Sequence, residues 1–444
     1  MCGELNYEDK LLFPNEVVVE RFDDVLLVIG VDTANWLVLD KNVQISFLEM
    51  LKNGSCIGEV VDIIENEDEM MAFQSLLAAI FARKFAGVNE SPQKEFLEGY
   101  RMLNLYLTNA CNLRCNHCFM NSGKKNDGEL GVEDWKRILK EFRDNSGMNV
   151  TFSGGEPLMY KDFDVILKFA KEIGLETTVL TNGVLWTEER IRNLACYIDE
   201  VQISIDGVDE KSNAIVRGKG HFDKVVSTVI AFSNIGVKTS VATTFTTDNL
   251  SDDIAYGYKE MIAYINRLTD SKVFFKLSKK ILPGRDVVLS AEENETYANK
   301  IKDIERIVRP TAEFENFMYG HVPNLVSTNC GLGGISVASD GLVYFCNRIS
   351  EVDTYGHVTE HPFSYYMKKG REIHIETSVD RVEPCSSCYL RYICNGGCRI
   401  DDFNFSGRVK NTKFPYRQIT CTEDKKCNLK RRMIDSFNYL YDFG

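Results

Sequence analysis

The sequence predicts an α/β protein: a partial (β/α)6 barrel preceded by a small sheet-and-helix module and followed by a loop-rich segment. Three observations carry that reading. Strand and helix periodicities alternate six times between Leu103 and Leu277. Ahead of them, three short Val/Ile/Leu runs precede three stretches of helical spacing. Beyond Val308-Arg309-Pro310 the alternation stops and cysteines crowd together.

Taken in chain order, Val17 to Leu39 reads VVVERFDDVLLVIGVDTANWLVL, broken at Asp23-Asp24 and Asp32-Thr33, which predicts a three-stranded antiparallel sheet. Helical spacing follows in Ile45, Phe47, Leu48 and Leu51, then from Ile57 to Ile64 and from Met70 to Phe81. Ser91-Pro92 reads as a linker. Barrel strands are expected at Leu103–Thr108, Val150–Ser153, Thr177–Thr181, Val201–Ser204, Lys238–Phe245 and Lys272–Leu277. Amphipathic stretches such as VEDWKRILKEF and DFDVILKFAKEIG separate them. Six βα units suit a partial barrel better than a closed eight-stranded one, and chemistry in such sheets gathers at the C-terminal ends of the strands. Ile335 to Phe345 reads as a hairpin with an Asp340-Gly341 turn that delivers Cys346. Domain limits are expected at residues 1–90, 100–310 and 311–444.

Composition narrows the function. With 52 Lys+Arg against 65 Asp+Glu, a net charge of −13 removes the broad cationic surface that nucleic-acid binding needs. No apolar run approaches the roughly 18 residues of a membrane span, and the start, MCGELNYEDKLLF, lacks the pattern of a secretion signal. A cytoplasmic protein is expected. In that reducing compartment the 14 cysteines point to metal binding or catalysis rather than to disulfides. Cys2, Cys56 and Cys196 stand alone and read as plain thiols.

The other cysteines fall in two groups. Cys111, Cys115 and Cys118 follow the first barrel strand in Thr108-Asn109-Ala110-Cys111-Asn112-Leu113-Arg114-Cys115-Asn116-His117-Cys118. Three thiolates on one loop can each hold one iron of a four-iron cubane and leave the fourth iron open. A zinc site is the alternative, but zinc prefers four closed ligands, and the nearby fourth would have to be His117, between two cysteines.

This loop, after the first strand of a six-strand βα barrel, resembles that of the radical S-adenosylmethionine family, with His117 where an aromatic residue is usual. Further strand ends are similar. Ser153-Gly154-Gly155-Glu156-Pro157 resembles the family's glycine-rich segment, whose backbone carbonyls receive the methionine amino group, and glycine permits that close approach. Asn182 follows the third strand. The resemblance implies that Ser204 and Asp206, at the end of the fourth strand, face the cofactor's carboxylate or ribose, and that Arg217 addresses the methionine carboxylate.

The second group is Cys330, Cys346, Cys385, Cys388, Cys394, Cys398, Cys421 and Cys427. The run from Cys330 through Cys421 resembles the SPASM extension of that family, which carries two auxiliary four-iron clusters; zinc ribbons are the alternative. The resemblance implies that Cys330, Cys346 and Cys398 hold auxiliary cluster I, and Cys385, Cys388, Cys394 and Cys421 hold cluster II. Cluster I is then one ligand short. Ser336 stands where the sulfatase-maturing relatives have a cysteine, so either Cys427 supplies the thiolate or the site is open.

The N-terminal module is similar, in element order, to the peptide-recognition domain of enzymes that modify ribosomally made peptides; a structural winged-helix-like domain is the alternative. Such a module binds a leader peptide by adding it as a strand to a sheet edge, expected here near Asn35 to Leu39. Taken together, the resemblances imply a radical S-adenosylmethionine oxidoreductase with S-adenosylmethionine and three [4Fe-4S] clusters, served by an external flavodoxin- or ferredoxin-type electron donor. It would generate a 5′-deoxyadenosyl radical and cross-link a precursor peptide, a thioether fitting best. Carbon–carbon or carbon–oxygen linkage, formylglycine formation of the sulfatase-maturase kind, and a non-enzymatic electron-transfer or peptide-carrier role are the alternatives. The run Lys425-Lys426 with Lys430-Arg431-Arg432 reads as a solvated tail.

Overall fold

The computed structural model describes residues 6–98, 101–251, 253–402 and 421–441; Cys2 lies outside them. The N-terminal sheet consists of β1 (Val17–Phe22), β2 (Val25–Gly30) and β3 (Asn35–Leu39), antiparallel and in that order. Helices α1 (Asn42–Lys52), α2 (Ile57–Val61) and α3 (Glu67–Ala82) follow. Asn66 caps α3 by accepting from the Glu69 amide at 3.0 Å, with three acidic residues in the first turn.

Alternating apolar residues give this sheet two buried faces. On one, Arg21 donates to Asn42 at the start of α1 and Asn35 donates to the Arg83 carbonyl at the end of α3. The opposite face carries Glu20 and Trp36, and it meets the C-terminal helix Glu423–Leu440: Trp36 Nε1 donates to the Met433 carbonyl at 3.1 Å and Lys430 Nζ lies 2.6 Å from Glu20. β3 is therefore buried except at Val38. The run from Lys425 to Arg432 is accordingly a packed helix, with the side chain of Lys430 only 8% exposed.

The central sheet has eight strands. Six are parallel neighbours in chain order: β4 (Met102–Tyr106), β5 (Asn149–Ser153), β6 (Glu176–Thr181), β7 (Glu200–Ser204), β8 (Lys238–Thr243) and β9 (Phe274–Leu277). All six lie where the period-two runs predicted them, and β5, β6 and β7 alternate fully buried with less buried residues, as successive side chains of a strand point to opposite faces. The hairpin β10 (Ile335–Val337) and β11 (Val343–Tyr344) adds what the sequence did not predict: β10 pairs in parallel with β4 and extends the barrel sheet.

Two hydrophobic cores result. One runs from Leu103 to Ile373 and joins the barrel to the hairpin and the helix Phe363–Glu376. The other joins residues 11–86 to Phe317, Val326, Val379, Ile393, Met433 and Phe437. The C-terminal third is thus divided between the barrel and the N-terminal module. Among the described residues no helix is long and apolar enough to cross a membrane.

Candidate active site

The six parallel strands end around one cavity of about 350 Å3, within the roughly 300–1,000 Å3 of small-molecule sites. Each strand end contributes to it: the cysteine loop after β4, Ser153 to Gly155 after β5, Asn182 after β6, Ser204 and Asp206 after β7, Thr244 after β8, and Ser278 to Leu282 after β9. Cys111, Cys115 and Cys118 all line it.

The cysteine loop has no regular secondary structure, so its backbone groups find partners individually. Cys111 N donates to the Gly123 carbonyl at 3.0 Å and Asn116 N to that of Val216 at 3.2 Å. Amides also point at sulfur, Leu113 N on Cys111 and Ser122 N on Cys118, each at 3.4 Å. Burial pushes the Cys111 thiol up to about 11 and raises Cys115.

The glycines form the cavity's tight corner. Gly154 has φ +134°, and a Cβ on Gly155 would stand 2.3 Å from the Ala110 carbonyl oxygen; Gly155 N and Glu156 N donate to the carbonyls of Thr108 and Ala110 at 2.7 and 2.9 Å. The backbones of the cysteine loop and of the glycine segment touch without intervening side chains. Glu156 differs from its expected place as a cofactor contact. Its side chain does not line the cavity but is fully buried beneath it, accepting from Thr181 Oγ1 and Asn182 N at 2.8 Å and from Leu158 N at 3.3 Å. Burial pushes its carboxyl up to about 7. Glu156 holds the end of β6, and with it Asn182, whose amide donates to Asn112 Oδ1 at 2.8 Å.

Asp206 and Arg217 both line the cavity and pair with each other, Arg217 Nε standing 2.6 Å from Asp206 Oδ2. Asp206 Oδ1 accepts from Thr244 N at 2.7 Å, and His117 Nε2 lies 3.4 Å from Oδ2. Burial holds the His117 imidazole below its ordinary pKa. This acid–base cluster joins the ends of β7 and β8 and the end of the helix Glu210–Arg217 to the cysteine loop.

Farther down the chain the cysteines form two groups. Cys330 and Cys398, both free thiols, share a hydrogen bond, Cys346 neighbours Cys398, and Arg348 Nη1 donates to Cys398 Sγ at 3.2 Å. Tyr106, at the end of β4, donates to the carbonyl of Asn347, which sets this group against the barrel's first strand. Cys385, Cys388, Cys394 and Cys421 line a second cavity of about 200 Å3. Cys427 is absent from that cavity's lining and lies one turn before Lys430, whose side chain turns to Glu20 on β1. Among the described residues no three Cys, His, Asp or Glu side chains converge on one ion-sized point.

Comparison with known proteins settles the family. Residues 105–255 match the radical SAM superfamily. Over 316 residues the chain is 30% identical to the mycofactocin maturase MftC of Mycobacterium tuberculosis, covering 68% of this chain and 78% of that one. The chain belongs to the radical SAM superfamily. It is also 26% identical over 331 residues to the AdoMet-dependent heme synthase of Nitratidesulfovibrio vulgaris, covering 68% of this chain and 88% of the relative. In structure the chain is similar to anSMEcpe, solved with bound AdoMet and the Cp18Cys peptide, at a TM-score of 0.54 and 18% identity over 77% of this chain and 98% of that one. This likeness shows a shared fold.

Membership implies S-adenosylmethionine and a four-iron cluster, and the site fits both. Three cysteines on one loop leave a cubane one open corner, and they line the cavity that the glycine corner, Asn182, Ser204, Asp206 and Arg217 also line. Residues the radical SAM motifs did not disclose are Thr244, Ser278, Lys280 and the Gly284-Arg285-Asp286 segment. Their only signal in the sequence is position, just past the ends of the fifth and sixth strands, together with the Pro283-Gly284 turn.

Proposed function

We propose that this radical SAM enzyme matures a ribosomally made precursor peptide by cross-linking it, with a thioether from a cysteine sulfur to a carbon as the product. The observation that carries the reading is the arrangement of eleven cysteines. Three line the barrel cavity, and seven of the remaining eight fall into two groups, one of them set against β4. Relatedness to a maturase over two thirds of the chain supports a peptide substrate.

Bound beside a reduced four-iron cluster, S-adenosylmethionine supplies a 5′-deoxyadenosyl radical that can take hydrogen from an unactivated carbon. The chain's own residues do the rest. Gly154 and Gly155 offer backbone to the methionine amino group, and Arg217 and Ser204 face its polar edges. Forming C–S breaks one C–H bond, whose hydrogen atom goes to the 5′-deoxyadenosyl radical, and one S–H bond, whose proton goes to solvent, and leaves one electron over. The two auxiliary groups, each the site of a four-iron cluster in this reading, are suited to take that electron and pass it to an external flavodoxin- or ferredoxin-type partner. The N-terminal sheet, with β1 and β3 at its edges, would receive the leader.

The test is mass spectrometry of a short precursor encoded beside this gene, before and after anaerobic incubation with reductant and S-adenosylmethionine. A product lighter by two hydrogens, whose cysteine no longer alkylates, is expected. A lighter product with a freely alkylating cysteine points to carbon–carbon or carbon–oxygen linkage. An unmodified peptide alongside production of 5′-deoxyadenosine would overturn the peptide reading. Iron should approach about twelve per chain, and the Cys111→Ala, Cys115→Ala, Cys118→Ala variant should lose about four.

A further inference from the structure

The loop that carries Cys115 and Cys118 is held from the far end of the barrel. After β9 the chain lines the cavity with Ser278, Lys280, Ile281 and Leu282, then turns at Gly284 and lies along the cysteine loop. Arg285 N donates to the Cys118 carbonyl at 3.1 Å and Asp286 N to that of Asn116 at 2.8 Å. The guanidinium of Arg285 makes three more bonds on the same loop. Nε donates to Asn121 Oδ1 at 2.9 Å, Nη1 to the Cys115 carbonyl at 2.8 Å, and Nη2 to the Ser122 carbonyl. A Cβ on Gly284 would stand 2.5 Å from the His117 carbonyl oxygen, so the two backbones touch there as well.

We propose that Arg285 is a positioning residue that fixes the Cys115–Ser122 loop, and through it the open corner of the cluster, relative to the cofactor cavity. A planar fork of five donors suits this task, because it satisfies acceptors in three directions with one rigid group, which an ammonium does not do. Two of its three partners are backbone carbonyls in a loop with no helix or sheet to satisfy them. Its positive charge also lies beside Cys115, since Nη1 bonds that residue's carbonyl. The same segment lines the cavity a few residues earlier, so the placement of cofactor and of cluster loop is shared by one stretch of chain. The inference rests on the reading of Cys111, Cys115 and Cys118 as cluster ligands; if that reading fails, the wild-type protein and its triple alanine variant carry the same iron.

Charge and fork are separable. Arg285→Gln removes both, and Arg285→Lys keeps the charge alone. In anaerobically reconstituted full-length protein both variants are expected to retain the cluster's iron. S-adenosylmethionine, titrated by its effect on the paramagnetic resonance spectrum of the reduced cluster, should bind both about tenfold more weakly than wild type. The midpoint potential should fall in Arg285→Gln, since losing a nearby positive charge disfavours the reduced cluster, and should return toward wild type in Arg285→Lys. Wild-type affinity and potential in both variants overturn the proposal. So does loss of about four irons from Arg285→Gln with auxiliary iron intact, which makes the residue one of cluster assembly. Should Arg285→Gln fail to fold, Gly284→Ala moves the loop without touching the charge. Weaker cofactor binding at an unchanged potential is then expected, and unchanged binding overturns the proposal.

Discussion

Arg217 Nε lies 2.6 Å from Asp206 Oδ2, and the two side chains are 11% and 1% exposed. The pair ties the helix Glu210–Arg217 to the end of β7, and His117 and Thr244 converge on the same carboxylate. Asp206→Asn leaves a buried guanidinium without its counter-charge, which costs about 3–5 kcal/mol. Chemical denaturation should therefore show a large loss of stability in the apoprotein as well as in the loaded enzyme. An unchanged unfolding midpoint would show that the pair contributes nothing to the fold.

Glu156 supplies a pH dependence with a defined sign. Its folded carboxyl is pushed by burial from 4.5 to about 7, so the folded protein holds this proton more tightly than the unfolded chain does. The stability this contributes is full below the unfolded value and is lost as pH rises through the folded one, by about 3 kcal/mol in all. Glu156→Gln has no such proton. The stability difference between wild type and Glu156→Gln, followed by urea denaturation from about pH 4 to about pH 8, should shrink or reverse by that amount; a difference independent of pH rules this account out.

Gly155→Ala would press a methyl group against the Ala110 carbonyl, 2.3 Å away, in a contact made of backbone on both sides. Neither partner is a flexible side chain that can swing clear. Loss of S-adenosylmethionine binding is expected, with auxiliary iron retained, and equilibrium dialysis with iron analysis checks both. Normal binding would mean that the glycine corner is looser than its spacing indicates.

The N-terminal module and the C-terminal helix stabilise each other. Met433 and Phe437 are buried in the core that also holds Trp36 and Leu76. Met433→Ala is expected to cost about 2–5 kcal/mol, and removal of residues 1–90 to expose an apolar face on the helix and on the segment around Tyr392 and Ile393. A deletion that leaves auxiliary iron and the unfolding transition unchanged would contradict this. Point substitutions at the outer edge of β1, such as Val19→Pro, are the cleaner probe of leader binding, because Val19 is 38% exposed and proline removes a backbone donor. They should weaken binding of the full-length precursor if that edge receives the leader.

Much of this was readable before any coordinates. Six strands from Met102–Tyr106 to Phe274–Leu277 announced themselves by short apolar runs set between amphipathic stretches, Gly154, Asn182, Ser204 and Asp206 by their place at strand ends, and Arg217 by the string Val216-Arg217-Gly218. Arg285 did not: a single arginine eight residues beyond β9 has no periodicity, and its partners lie more than 160 positions away. The pairing of β10 with β4 was hidden for the same reason, since strand propensity says nothing about which distant strand a hairpin will join. The division of the C-terminal third between two cores follows from the tertiary placement of Trp36 against Met433, and local pattern does not encode that.

The parallel pairing of β10 with β4 also sets an order on synthesis. Tyr106, at the end of β4, is made about 230 residues before Ile335, and at about 5–20 residues per second roughly 10–50 s pass between them. Throughout that interval the strand leading into the cysteine loop has one edge without its final neighbour, on a nascent chain that already contains Cys111, Cys115 and Cys118. Bare strand edges invite pairing with other chains. Ribosome-bound chains that stop before Ile335 should therefore cling to chaperones and aggregate when released, whereas chains extended past Tyr344 should not. The hairpin that delivers Cys346 is also the last strip of backbone the barrel waits for.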